Sequence, residues 1–222
     1  MSRAQLTSTV EQSSGGVVAP FLAGKNKIIN GDFNIWQRGT TFNAIASGGY
    51  AADRWLNVND GNGTSNITQQ TFTAGTAPVA GYESAYFLRQ TVATSGTTTY
   101  FQVAQKIEDV RQFAGQTVTL SFWAKTDSAR AGLSYYEQNF GSGGSSTNYI
   151  TTSNFSFTTS WARYTATVSI PSISGKTIGT GSYFIFYIRG AGTSVGGYID
   201  IWGVQLEAGS VATPFTLSLI HI

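Results

Sequence analysis

The chain has 222 residues, with 13 basic against 11 acidic side chains and a net charge of +2. It holds no cysteine, which excludes a disulfide framework, a thiol nucleophile and a thiolate metal site. Aromatic residues reach 14% while charged ones are only 11%, a mix that argues against disorder and for β-structure with polar outer faces.

Residues 1–26 carry no sustained period and read as a flexible arm. Gln12-Ser13-Ser14-Gly15-Gly16 has linker composition, and Val17-Val18-Ala19-Pro20-Phe21-Leu22 is an apolar patch suited to docking or anchoring. Arg3, Lys25 and Lys27 against Glu11 place the net +2 at the start of the chain. The remainder is neutral, so it offers no electrostatic footprint for nucleic acid or an anionic membrane. No signal-peptide-like stretch opens the chain, and no apolar run is long enough to span a bilayer.

Residues 27–216 predict one all-β domain, with short strands between Gly, Ser, Asn and Thr turns. Strands are expected over 67–72, 85–92, 100–107, 118–125, 133–140, 149–157, 163–170, 183–189 and 197–206. The clearest alternation puts Val118, Leu120, Phe122 and Ala124 on one face and Thr119, Ser121, Trp123 and Lys125 on the other. Residues 107–113 are compatible with one helical turn between strands, and Gly141 to Gly144 with a flexible hairpin tip. In the final strand neither phase is cleanly apolar, which predicts a bulge or burial on both sides. This number and spacing of strands points to a sandwich or barrel. Residues 217–222, Leu-Ser-Leu-Ile-His-Ile, look like the translated end of a transposon-based sequencing adapter; the alternative is a genuine terminal strand. As a scar, the segment would mean a longer natural chain, and would remove His221, the only histidine. Cysteine nucleophiles and the usual imidazole base are then excluded, no carboxylate pair is recognisable, and no phosphate-binding Gly-rich loop opens a helix. An enzyme is not expected.

Three motifs stand out in order: Asn30-Gly31-Asp32-Phe33-Asn34-Ile35-Trp36-Gln37-Arg38-Gly39, Tyr50-Ala51-Ala52-Asp53-Arg54-Trp55, and Gly203 to Ser210 followed by Ala212-Thr213-Pro214-Phe215. With the stretches Ala114 to Lys125 and Ser160 to Tyr164 between them, the set resembles tail and tail-fibre virion structural proteins of bacteriophages. The layout is also similar to carbohydrate-binding modules with a galactose-binding-like sandwich, which open with Asn-Gly-x-Phe and close with an Ile-Asp strand, here Asn30 to Phe33 and Ile199-Asp200. The resemblance implies a single antiparallel jelly-roll β-sandwich, a virion location with assembly in the host cytoplasm, other virion proteins or a host-surface glycan as partners, and a homotrimer. A purely structural virion role without ligand is the alternative.

The resemblance also implies a structural Ca²⁺ held by oxygens of Asn30, Asp32, Asn34 and Asp200, although Asn34 stands where the modules usually carry an acid. The same residues could instead form a turn, with Asp200 accepting backbone hydrogen bonds. Asp53 and Arg54 are expected to pair, with Trp55 as a core anchor and Arg38 nearby; a fixing network is favoured over a ligand site. Sugar rings stack on aromatic faces while hydroxyls need polar partners. The candidate glycan face is Trp123, Tyr135, Tyr136, Glu137, Gln138, Asn139, Tyr183, Tyr187 and Arg189, on the outside of one sheet. The same face could meet a neighbouring subunit.

Overall fold

The computed structural model describes residues 25–59, 62–80, 82–94, 100–191 and 195–216. The Val17 to Leu22 patch, most of the expected arm and the segment 217–222 lie outside the described residues. The chain forms β1 (Thr41–Ile45), β2 (Trp55–Asn59), β3 (Thr64–Thr71) and β4 (Tyr86–Thr94). It continues through β5 (Tyr100–Ile107), β6 (Thr117–Thr126), β7 (Arg130–Asn139) and β8 (Asn148–Phe157). It ends with β9 (Ala162–Ser169), β10 (Tyr183–Ala191) and β11 (Tyr198–Ala208). Among the described residues no helix is long and apolar enough to cross a membrane.

All pairings are antiparallel and make two sheets, one ordered β1-β3-β4-β11-β6-β9 and the other β2-β5-β10-β7-β8. This is a jelly-roll β-sandwich, one of the two architectures the strand spacing allows and the one the resemblance implies. Val118, Leu120, Phe122 and Ala124 all enter the shared core, as the alternation of β6 requires. Phe184, Phe186 and Ile188 of β10 meet them from the other sheet. Ring contacts fix the packing, among them Phe122 on Phe155 at 5.4 Å and Trp55 on Phe186 at 5.9 Å.

β11 changes phase midway. Ile199 and Ile201 point into the core while Trp202 points out; beyond the bulge Val204 and Leu206 point in. Gly203 carries the bulge at φ +63°, and a side chain there would bring its first carbon within 2.8 Å of Trp123. Between β5 and β6 there is no helix. Successive turns close by Gln112 N–H to Asp109 O and Ala114 N–H to Arg111 O, and they drop Val110 and Phe113 into the interior. The Gly141 to Gly144 hairpin tip is tied down, because Ser142 and Thr180 exchange backbone hydrogen bonds at 2.9 and 3.0 Å.

β1 and β2 are not signalled by their sequences. β1 is a short, largely exposed edge strand with an irregular register against β3. β2 inverts the usual pattern: Asn57 and Asn59 point inward, and Leu56 and Val58 point outward. The inward amides join a buried polar cluster in which Gln90 donates to Asn57 Oδ1 at 2.6 Å and Ser65 donates to Asn59 Oδ1 at 2.9 Å. Hydrogen bonding makes that burial tolerable.

Candidate functional site

The outer face of the five-stranded sheet has an apolar floor of Leu56, Ala104, Ile185 and Tyr187, with Val58, Tyr135 and Tyr183 packed beside it. Register explains the assembly. Tyr187 lies between Ala104 of β5 and Tyr135 of β7, and Ile185 between Lys106 and Glu137. On β8, Tyr149 sits opposite Glu137 and is 67% exposed, with its ring stacked on Tyr135 at 6.0 Å. Tyr183 to Arg189 along β10 spans roughly 20 Å at strand rise, the length of an oligosaccharide rather than one ring.

Polar groups frame this floor. The Tyr187 hydroxyl donates to Glu137 Oε1 at 2.9 Å. Burial pushes the Glu137 carboxyl above the usual carboxylate range, against the pull of Tyr187 and Lys106. Burial and the Glu137 charge push the Tyr135 phenol up to about 12. The Arg189 guanidinium lies 3.7 Å from the Tyr100 ring centroid and donates to Gln102 Oε1 at 2.9 Å. The Lys106 ammonium lies 4.4 Å from the Tyr183 ring centroid. At the Tyr183 end a cleft of about 370 Å³ opens, lined by Tyr50, Arg54, Lys106, Glu108, Gly181, Ser182 and Tyr183.

The expected face is thus only partly right. Tyr135, Glu137, Tyr183, Tyr187 and Arg189 share it. Asn139 is on the same phase, opposite Tyr183, and its amide oxygen accepts the Gly141 N–H at 2.9 Å. Tyr136 and Gln138 are a correction: both point inward and are fully buried. Tyr136 packs on Phe184, while Gln138 donates to Pro171 O and accepts from Asn148. Trp123 belongs to the other sheet, against Trp202 and Phe215, with Arg163 over its ring. Tyr50, Tyr100, Gln102, Lys106 and Tyr149 were not expected. Their signal lies in register, since β5 places Tyr100, Gln102, Ala104 and Lys106 on one phase beside β10.

The four expected calcium ligands do not fit a calcium cage. Both Asp200 oxygens are taken by Arg89, at 2.6 and 2.7 Å, with Lys125 at 3.7 Å, so this carboxylate already faces two cations. Burial pushes its pKa up and the two cations pull it back. Asn30 Oδ1 accepts the Ile35 N–H at 2.9 Å, and its amide donates to the Ile35 and Asp53 carbonyls. Asp32 Oδ2 accepts from Asn34 and from the Tyr82 hydroxyl. Among the described residues no three His, Cys, Asp or Glu side chains gather around a common point.

Several contacts within these motifs hold the fold together. Asp53 does not pair with Arg54; it accepts the Gln37 N–H at 2.6 Å, and Arg54 reaches Glu108 at 3.6 Å. Trp55 anchors the core and donates to Asn30 O at 2.9 Å, while Arg38 lies over Tyr50. The last motif is a clamp. Buried Glu207 accepts from the Thr213 amide and hydroxyl, both at 2.7 Å, and pairs with Lys25 at 2.9 Å. Gln205 Oε1 accepts the Thr216 N–H, and Asn26 donates to the Thr216 carbonyl.

No protein-family model and no curated protein matches this chain. Among solved structures, it is similar to the enzymatically active domain of tailspike protein 4 of bacteriophage CBA120, at 18% identity and a TM-score of 0.51. That match covers 83% of this chain and 21% of the tailspike, so the chain spans about a fifth of it. The CBM22-2 xylan-binding domain of Paenibacillus barcinonensis Xyn10C aligns at 18% identity and a TM-score of 0.47, over 74% of this chain and 98% of that domain. TmCBM61, solved with β-1,4-galactotriose, aligns at 11% identity and a TM-score of 0.44, over 83% and 99%. The likeness is one of fold.

Proposed function

We propose that this chain is a component of a phage tail or tail fibre whose β-sandwich holds a host-surface glycan on the outer face of its five-stranded sheet, without catalysing a reaction on it. The observation that carries the reading is the tyrosine row, exposed Tyr149 stacked on half-buried Tyr135 beside buried Tyr187, on an apolar floor framed by Arg189, Gln102, Glu137 and Lys106. Sugar C–H faces stack on such rings, and hydroxyls bond to such a rim. The sequence resemblance supplies the virion setting, in which the arm before Lys25, with the Val17 to Leu22 patch, would attach the domain to sister chains or to other virion proteins. A glycan array with the whole chain tests the binding. At least one glycan is expected to bind, and Tyr135→Ala combined with Tyr149→Ala should abolish it without lowering the melting temperature by more than a few degrees. An empty array alongside stable assembly onto virions would favour a purely structural role.

A further inference from the structure

We infer that the cleft at the Tyr183 end of this face takes a carboxylate-bearing sugar, a uronic acid or another carboxylated unit of the glycan, with Lys106 and Arg54 reading its charge. The inference rests on the glycan-platform reading and narrows its ligand class. The cleft is continuous with the platform, because Lys106 and Tyr183 belong to both. Its volume of about 370 Å³ falls within the range of small-molecule sites.

Charge placement carries the argument. Elsewhere most cations have a carboxylate partner: Lys25 pairs with Glu207, Arg111 with Asp109 and Arg130 with Asp127, while Arg89 and Lys125 share Asp200; Lys176 lies over the Phe140 ring. Arg163 is tied to Ser121 and the Thr213 carbonyl. On this face Arg38, Lys106 and Arg189 have no carboxylate within 4.0 Å among the described residues; each lies over a tyrosine ring instead. Arg54 has only Glu108, at 3.6 Å, with the two side chains 39% and 78% exposed. Such a pair contributes little, so its guanidinium can exchange partners. Beyond it a second cleft of about 200 Å³ adds Lys27.

Two acids answer these cations, Glu108 and Glu137, and Glu137 is engaged by the Tyr187 hydroxyl. Four cations, Arg38, Arg54, Lys106 and Arg189, thus stand against two acids on the side where Tyr50 and Tyr149 are exposed. A neutral sugar would leave part of that positive charge unmatched, whereas a carboxylate gives Lys106 and the planar fork of Arg54 charge-assisted hydrogen bonds.

The test titrates the whole chain with polygalacturonate, alginate, hyaluronate and polysialate, each beside its carboxyl-reduced neutral form, at low and raised salt. At least one acidic polymer should bind about tenfold tighter than its reduced form, with affinity falling as salt rises. Lys106→Met, which keeps the stem over Tyr183, and Arg54→Gln should erase that preference at an unchanged melting temperature. Equal binding of acidic and reduced forms, or binding of none of the acidic polymers, overturns the inference. The platform reading survives that result if a neutral glycan binds and Tyr135→Ala removes it; if no glycan of either kind binds, both fall.

Discussion

The outer faces of the two sheets are both aromatic, and they differ in what covers them and in how their charges are met. On the six-stranded sheet Phe72, Phe87 and Trp202 lie under Ala77, Val79 and Tyr82 of the β3–β4 connection and under Phe215 of the returning C-terminal segment. The charged groups there are in direct contact with partners, Arg89 and Lys125 sharing Asp200 and Lys25 on Glu207. On the five-stranded sheet exposed Tyr149 stacks on half-buried Tyr135, and Lys106 and Arg189 sit over rings with no carboxylate within 4.0 Å among the described residues. Aromatic content alone does not separate a covered satellite core from an open face; cover and contact between charges do.

The contrast is sharpest where one face should respond in stability and the other in binding. Trp202→Ala removes a fully buried ring and its 2.7 Å bond to Ser84, and urea denaturation should show a loss of about 3–5 kcal/mol. Glycan affinity of the folded fraction should not change. Gly203→Ala forces a side chain into a left-handed position 2.8 Å from Trp123 and should cost about 1–3 kcal/mol by the same measurement. Glu207→Gln breaks the clamp at a buried group and should cost about 1–3 kcal/mol.

The clamp also fixes a pH dependence. Burial raises the Glu207 pKa, but the Thr213 amide, Lys25, the Thr213 hydroxyl and Gln205 together hold it below the usual glutamate value. Its folded pKa is depressed, so its stabilisation is complete above the unfolded value and is lost as pH falls through the folded one. Denaturation midpoints across the acid range should fall for the natural chain and stay flatter in that window for Glu207→Gln. The smallest stability effect belongs to the open face: Tyr149→Ala should change stability by less than about 0.5 kcal/mol while weakening glycan binding. Equal losses of stability from Trp202→Ala and Tyr149→Ala would break the contrast.

Much of the fold was legible because hydrophobic period and register agree. The β6 alternation places its core face correctly, and the mixed phases of β11 announce the bulge that Gly203 makes. The site was less legible. β2 turns its amides into the sandwich and Leu56 and Val58 outward, and β7 turns Tyr136 and Gln138 inward and Tyr135 and Glu137 outward. Period gives the two phases of a strand, but not which one faces the core when both carry polar and aromatic residues. Trp123 follows the same rule of alternation as Tyr187 and lands under a loop on the other sheet. A zero charge sum over residues 28–222 likewise concealed a cationic face, because pairing is decided by contacts far apart in sequence, such as Arg89 with Asp200 and Arg54 with Glu108.

The most direct test of the central claim is backbone amide chemical-shift mapping of the whole chain titrated with a glycan that binds on the array. Shifts are expected to concentrate in β5, β7, β8 and β10, strongest near Tyr135, Tyr149, Lys106 and Tyr183, with β4, β11, β6 and β9 unmoved. Shifts centred on Trp123, Trp161 and Phe215, or spread without preference over both sheets, would contradict it.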